Sequence, residues 1–157
     1  QKKSNNELRG DIVVKNSKIK PIKASKKYYV NSTDEYPILF VIAALTKGVS
    51  VFKGINDLAN KESDRIKEMQ KVLKQVGVKT KSSKNDLKIF GKGNINASKK
   101  YIKVPNLGDH RICMSAFVLA NLTGARTKIN NFETVFTSSP SFLKLMKTLG
   151  AKFEIQK

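Results

Sequence analysis

Two short segments, Lys61-Glu62-Ser63-Asp64-Arg65 and Gly108-Asp109-His110-Arg111, crowd carboxylates and a guanidinium together just ahead of an apolar run. Only four arginines (Arg9, Arg65, Arg111 and Arg126) stand among the 31 Lys and Arg residues, and two of them sit in these segments. Arg presents a planar fork of donors matched to carboxylate or phosphate, which a Lys ammonium cannot copy. In a Lys-rich chain, an Arg beside acids at a helix start suggests a bidentate anion clamp. The alternative is structural: Ser63, Asp64 or Asp109 caps a helix and the arginine rides on the surface. One such segment leaves the two readings balanced, whereas two in equivalent places of an internal repeat favour a site.

Helices of two kinds must position these groups. Tyr36–Thr46 and Ile112–Leu122 are apolar nearly all round, which predicts helices buried on every side. Ile66–Val76 is amphipathic, with Ile66, Met69, Val72, Leu73 and Val76 on one face and Lys67, Glu68, Lys71 and Lys74 opposite. Phe142–Leu149 is a shorter version, with Phe142, Leu145, Met146 and Leu149 facing inward. Gly48, Gly77, Gly124 and Gly150 each follow one of these helices, where a glycine stops it. Strands are expected at Asp11–Lys15, Lys27–Val30, Val49–Ile55, Val78–Lys81, Leu87–Phe90, Tyr101–Val104, Thr127–Asn131 and Ala151–Ile155.

The order repeats. Ala43-Ala44-Leu45-Thr46-Lys47-Gly48 followed by a strand is matched by Leu119-Ala120-Asn121-Leu122-Thr123-Gly124 followed by a strand. Leu73-Lys74-Gln75-Val76-Gly77-Val78-Lys79 is matched in the same way by Met146-Lys147-Thr148-Leu149-Gly150-Ala151-Lys152. Each unit runs buried helix, strand, amphipathic helix, strand, so two pseudo-symmetric units share one core. Wholly buried helices with Lys-faced strands put helices inside and sheets outside, the reverse of doubly wound layering.

With 157 residues, 39% hydrophobic and 27% charged, the chain is one folded domain. No apolar run reaches membrane-span length and no signal-peptide pattern opens the chain, so no membrane partner is expected. The single Cys113 excludes an internal disulfide and fits a reducing, cytoplasmic compartment. The opening at Gln1, in a polar Lys/Asn stretch, fits a piece of something longer. The net charge of +19 allows an alternative, a basic α/β nucleic-acid-binding module. However, the lysines are spread along the whole chain and alternate with apolar residues, as in Val78–Lys81, which favours solubilising charge over a nucleic-acid footprint.

Thr33-Asp34-Glu35-Tyr36-Pro37, Lys61–Arg65, Asn85-Asp86-Leu87-Lys88-Ile89, Gly108–Arg111, Thr137-Ser138-Ser139-Pro140-Ser141-Phe142 and Leu149–Lys152 occur in a fixed order. Together they resemble the C-terminal portion of the EPSP synthases (3-phosphoshikimate 1-carboxyvinyltransferases) of the enolpyruvyl transferase family. The resemblance runs from about Gly10 to the end. It implies an inside-out α/β domain of repeated βαβαββ units, with buried helices and sheets outside. Residues 1–157 would form an incomplete C-terminal domain with about two of three repeats, roughly 10–91 and 92–157, and the N-terminal domain would be absent. The implied reaction transfers the enolpyruvyl group of phosphoenolpyruvate to the 5-hydroxyl of shikimate 3-phosphate, without cofactor or metal, in an enzyme that is monomeric when intact. The fragment would carry half of an interdomain site and be inactive alone.

The resemblance assigns roles residue by residue. Asp34 would contact the shikimate ring and take the proton of the attacking hydroxyl. Lys61 would bind the 3-phosphate, and Glu62 would transfer a proton at the phosphoenolpyruvate methylene. Arg65 and Arg111 would hold phosphoenolpyruvate, with Asp109 and His110 supporting them. Thr137 stands where some members carry a further lysine, which suggests a subclass. Ser139 and Ala59-Asn60 also depart from the usual pattern without removing a named catalytic group. On residue chemistry alone, Asp34 could be only the N-cap of the helix behind it, with Pro37 in the first turn. Cys113 reads as a buried small hydrophobe, and Tyr28-Tyr29 as edge packing in a strand. The lone His110 excludes a histidine metal cluster, and no Gly-rich phosphate loop is present.

Overall fold

The computed structural model describes residues 2–4 and 7–155. The chain opens with an antiparallel pair, β1 (Lys2–Ser4) and β2 (Glu7–Arg9), then runs through residues 10–22 without regular structure. The strand expected at Asp11–Lys15 does not form there: Ile12, Val13 and Val14 are exposed, so β-propensity has no partner strand to act on. Next come β3 (Lys23–Ala24), α1 (Lys26–Tyr29), a 3-10 turn (Thr33–Glu35), α2 (Tyr36–Ala44) and β4 (Gly48–Lys53). A second 3-10 turn (Asn56–Asn60) leads to α3 (Arg65–Gln75), β5 (Lys79–Ser82) and β6 (Asp86–Gly91). The rest is β7 (Tyr101–Val104), α4 (His110–Thr123), β8 (Arg126–Ile129), α5 (Thr134–Ser138) and α6 (Phe142–Thr148).

Each buried helix links a parallel strand pair. α2 lies between β3 and β4, paired at Lys23↔Val51, and α4 lies between β7 and β8, paired at Tyr101↔Arg126. This is the repeat seen in the sequence, now as two βαβ crossovers. The first sheet has the order β3-β4-β6-β5, with β6 antiparallel to both neighbours; the second is the β7-β8 pair.

α2 packs against α4 and β6. Phe40, Val41, Ala43 and Ala44 of α2 are buried, as are Ile112, Ala116, Leu119 and Ala120 of α4. Pro37 is accommodated because its missing N–H falls in the first turn of α2. β6 runs hard against the end of α2. A Cβ on Gly91 would stand 2.0 Å from the Thr46 carbonyl oxygen and 2.1 Å from that of Ala43, so only glycine fits. The amphipathic α3 closes the layer with Met69, Val72 and Leu73 inward. Its Gln75 side chain accepts from Lys103 N–H (2.8 Å) and donates to the Lys103 carbonyl (3.2 Å), capping the β7 edge.

Three further expectations are corrected. The strand expected at Lys27–Val30 is replaced by the helix Lys26–Tyr29, where the Tyr29 ring turns inward against Tyr36, 5.3 Å between centroids. Ala151–Ile155 has no regular structure. α6 reaches the core through Phe142, whose ring meets Phe117 at 5.5 Å, while Leu145 and Leu149 stay exposed instead of facing inward. Cys113 is buried, as expected, and burial followed by the nearby Asp109 charge pushes its thiol up to about 11. Among the described residues, no helix is long and apolar enough to cross a membrane.

Candidate active site

Three helix starts converge on one cluster of charges. Asp34 lies in the turn before α2, Arg65 is the first residue of α3, Asp109 is the N-cap of α4 and Arg111 lies in its first turn. The capping alternatives resolve locally. Asp64 caps α3 by accepting from Lys67 N–H at 2.9 Å. Asp109 caps α4, its Oδ1 accepting from the N–H groups of Arg111 (3.0 Å) and Ile112 (3.4 Å). Asp34 caps nothing.

The other oxygen of Asp109 is where the two repeats meet. Oδ2 accepts from Ser63 Oγ at 2.8 Å and from Arg65 Nε at 3.0 Å, and the carboxylate is 0% exposed. Such a charge is tolerable in the interior only when paired and fully hydrogen-bonded. Arg65, 1% exposed, pairs each of its three nitrogens with a carboxylate. Nη1 donates to Asp34 Oδ1 (3.0 Å) and Nη2 to Glu62 Oε2 (2.6 Å). Burial alone would lower the guanidinium pKa, but the bonds and charges of Asp109, Asp34 and Glu62 outweigh it and raise it.

Asp34 is shared. Its Oδ2 accepts from Arg111 Nη2 at 3.1 Å, so one carboxylate bridges two arginines that are far apart in sequence. The Arg65 hydrogen bond first, against the opposing effect of burial, and then the Arg111 charge hold Asp34 below its ordinary value. Asp34 is half exposed and Arg111 about a third exposed, with Arg111 Nε buried and unpaired. These two therefore form the open side of the cluster, and Arg65 and Asp109 the closed side. An open hollow of about 210 Å³ borders Asp34 and Arg111 and is lined further by Ile38, Met114, Val118 and Phe142. A larger hollow, about 510 Å³, lies along α3 and β5 between Lys67, Lys71, Lys74 and Lys79. Its lining has no carboxylate and no arginine, whereas Asp34, Glu35 and Arg111 line the smaller one.

Lys61, at the end of the second 3-10 turn, pairs with Asp57 at 3.1 Å. Asp57 also accepts from the Tyr29 hydroxyl at 3.1 Å. The Lys61 bond, then the Tyr29 bond, hold the Asp57 carboxyl below its ordinary value. His110 opens α4 half-buried and joins none of these bonds among the described residues. The cluster thus gathers Asp34, Glu62, Arg65, Asp109 and Arg111, with Lys61 held alongside by its own pair. The sequence reading missed Ser63 as a partner of Asp109, and Asp57 and Tyr29 altogether. The spacing Asp57–Lys61 was a usable signal, since i,i+4 charges pair along a helical turn. Tyr29 left none. No group of three His, Cys, Asp or Glu among the described residues is arranged to hold a metal.

Chemically, the arrangement offers carboxylates able to exchange protons, fixed guanidinium groups, and three helix N-termini whose dipoles favour anions. The sequence model of the family "EPSP synthase (3-phosphoshikimate 1-carboxyvinyltransferase)" matches residues 4–146. The 3-phosphoshikimate 1-carboxyvinyltransferase of Clostridium tetani is 36% identical over 143 residues, 91% of this chain and 32% of that protein. That of Zymomonas mobilis is 35% identical over 147 residues, 92% of this chain and 32% of that protein. The chain therefore spans about a third of the length of the curated relatives it matches. Among solved structures, the EPSP synthase of Acinetobacter baumannii superposes with a TM-score of 0.74 at 32% identity, over 88% of this chain and 32% of that one. The enolpyruvyl transferase NikO of Streptomyces tendae, at 16% identity, shares the fold with a TM-score of 0.61, over 85% of this chain and 28% of that one. On these matches, the chain belongs to the EPSP synthase (3-phosphoshikimate 1-carboxyvinyltransferase) family.

Proposed function

We propose that this chain supplies part of an active site that transfers the enolpyruvyl group of phosphoenolpyruvate to the 5-hydroxyl of shikimate 3-phosphate, releasing phosphate. The observation that carries this reading is the convergence of Asp34, Glu62 and Asp109 on the buried Arg65, with Arg111 joined to them through Asp34. Addition of the hydroxyl oxygen to C2 of phosphoenolpyruvate removes one proton from the hydroxyl and adds one to the methylene. Elimination then removes a methyl proton as the C–O bond to phosphate breaks. Asp34 accepts a hydrogen bond from the hydroxyl and takes its proton as charge develops; Glu62 serves the methylene carbon. Arg111, on the open side, binds the phosphoenolpyruvate anion, and Lys61 binds the 3-phosphate. Arg65 reaches phosphoenolpyruvate by exchanging Glu62 or Asp34 for a ligand oxygen, because its guanidinium is buried and each of its nitrogens already holds a carboxylate.

The chain acts as two repeated units of one domain, roughly 10–91 and 92–157. The remainder of the relatives' length forms the other wall of the cleft, in a cytoplasmic, monomeric enzyme. The test compares the chain alone with the chain joined to the portion of the Clostridium tetani relative that it does not match. Phosphate release from the two substrates is expected of the joined protein and not of the chain alone. Turnover by the chain alone would place the site elsewhere, and a joined protein that binds neither substrate would refute the reading.

A further inference from the structure

Tyr29 touches both sides of the site without belonging to it. Its backbone carbonyl accepts from Ser32 N–H (3.1 Å) and from Thr33 Oγ1 (2.9 Å), anchoring the turn that carries Asp34. Its hydroxyl donates to Asp57 Oδ2 at 3.1 Å, the same oxygen that pairs with Lys61 Nζ at 3.1 Å. The residue has little freedom of its own. It is buried, and its ring meets Tyr36 edge-on at 5.3 Å, just where α2 begins. α1 is also pressed onto Gly54, where a Cβ would stand 2.7 Å from Lys26 Cβ and Cγ. Asp57 and Lys61, by contrast, are partly exposed, and their long side chains have few other constraints.

Resting on the functional reading above, we infer that Tyr29 is a positioning residue for the substrate phosphate. Its hydroxyl fixes Asp57, and Asp57 fixes the Lys61 ammonium with two of its three donors left free. A single rigid side chain thereby sets the spacing between Lys61 and Asp34, the groups expected at opposite ends of one ligand. Asp57 is not asked to touch that ligand.

Two measurements on the 157-residue chain decide it. The first follows the Lys61 ammonium by nitrogen NMR, where an ion pair slows proton exchange. The signal is expected in the unsubstituted chain and lost in Tyr29→Phe and in Asp57→Asn. The second titrates shikimate 3-phosphate and phosphoenolpyruvate separately. Tyr29→Phe keeps the ring and is expected to weaken shikimate 3-phosphate about fivefold, the value of roughly one net hydrogen bond. Phosphoenolpyruvate affinity and melting temperature should hold, and the double variant should be no weaker than Asp57→Asn alone. An unchanged Lys61 signal, or equal loss of both ligands together with a lower melting temperature, overturns the inference. Failure of the joined protein to bind either ligand counts against the functional reading, and the Lys61 signal of the 157-residue chain still decides whether Tyr29 orders that side chain.

Discussion

Arg65→Lys keeps the charge and removes the fork, and its effect can be worked from the structure. The ammonium is compact and cannot reach the three carboxylates now held by Nε, Nη1 and Nη2. It stays with Asp109, whose complete burial makes an unpaired charge most costly there. The bonds to Asp34 and Glu62 are lost. Charge-assisted hydrogen bonds contribute about 1.5–3 kcal/mol when buried. Both acceptors are about half exposed, however, so solvent screening reduces each to roughly 0.5–1 kcal/mol. Arg65→Lys should therefore cost about 1–2 kcal/mol. Arg65→Met is a different perturbation, because it strands the Asp109 carboxylate in the interior and should cost about 3–5 kcal/mol. Adding Asp109→Asn to Arg65→Met removes the stranded charge while Asn still caps α4, so part of the loss should return. Denaturant midpoints with a constant slope measure all three. If Arg65→Met cost no more than Arg65→Lys, or the second substitution restored nothing, Arg65–Asp109 would not be the buried pair that joins the repeats.

In the joined enzyme, Arg111→Lys should lower the specificity constant about ten- to a hundredfold through loss of bidentate contact, with little change in melting temperature. Glu62→Gln should instead lower turnover with little effect on substrate affinity, which steady-state kinetics separates. Gly91→Ala should destabilise the chain by about 3 kcal/mol or more, seen in thermal melts, because a Cβ there meets two backbone oxygens and not a movable side chain. Tyr36→Phe should be neutral or stabilising, since the Tyr36 hydroxyl is buried without a partner; a loss above about 1 kcal/mol would mean that the hydroxyl is satisfied. Asp34 is held below its ordinary value, so its contribution is present above pH 4 or so and is lost as pH falls through the folded value. Asp34→Asn should thus be less stable than the parent at pH 7, with the gap closing in acid unfolding curves.

The helices were legible because their apolar spacing is a local property. α2 and α4 lie where all-round apolarity placed them, although neither is buried on every side, since Ile38, Leu39, Met114 and Val118 are half-buried and Leu122 is exposed; α3 starts within a residue of its amphipathic pattern. The strands at Asp11–Lys15 and Ala151–Ile155 were not, because a strand needs a pairing partner that sequence alone does not supply. α5 escaped notice because Thr134-Val135-Phe136-Thr137-Ser138 is poor in helix formers, and tertiary packing around the buried Val135 overrides the propensity. At the site, residue types and order were readable, whereas burial was not. Arg65 and Arg111 look equivalent in the two segments. The fold makes Arg65 an interior strut and leaves Arg111 partly open, a difference set by which helix start lies deeper.

That asymmetry bears on how a chain of net charge +19 could recognise one anion among many. The excess of lysine attracts any polyanion over distances of about 10 Å at ordinary salt, but attraction of that kind is indifferent to shape. The cluster itself carries no excess of positive charge, because the three carboxylates of Asp34, Glu62 and Asp109 more than offset Arg65 and Arg111 within hydrogen-bonding distance. An incoming anion gains little there unless its oxygens replace those of Glu62 or Asp34 on the same guanidinium edges. Such an exchange demands matched geometry and also frees a carboxylate beside the bound ligand. On the proposed function, binding the anion and releasing the carboxylate that moves a proton would be one event, coupling recognition to catalysis through the Arg65 fork that all three would share.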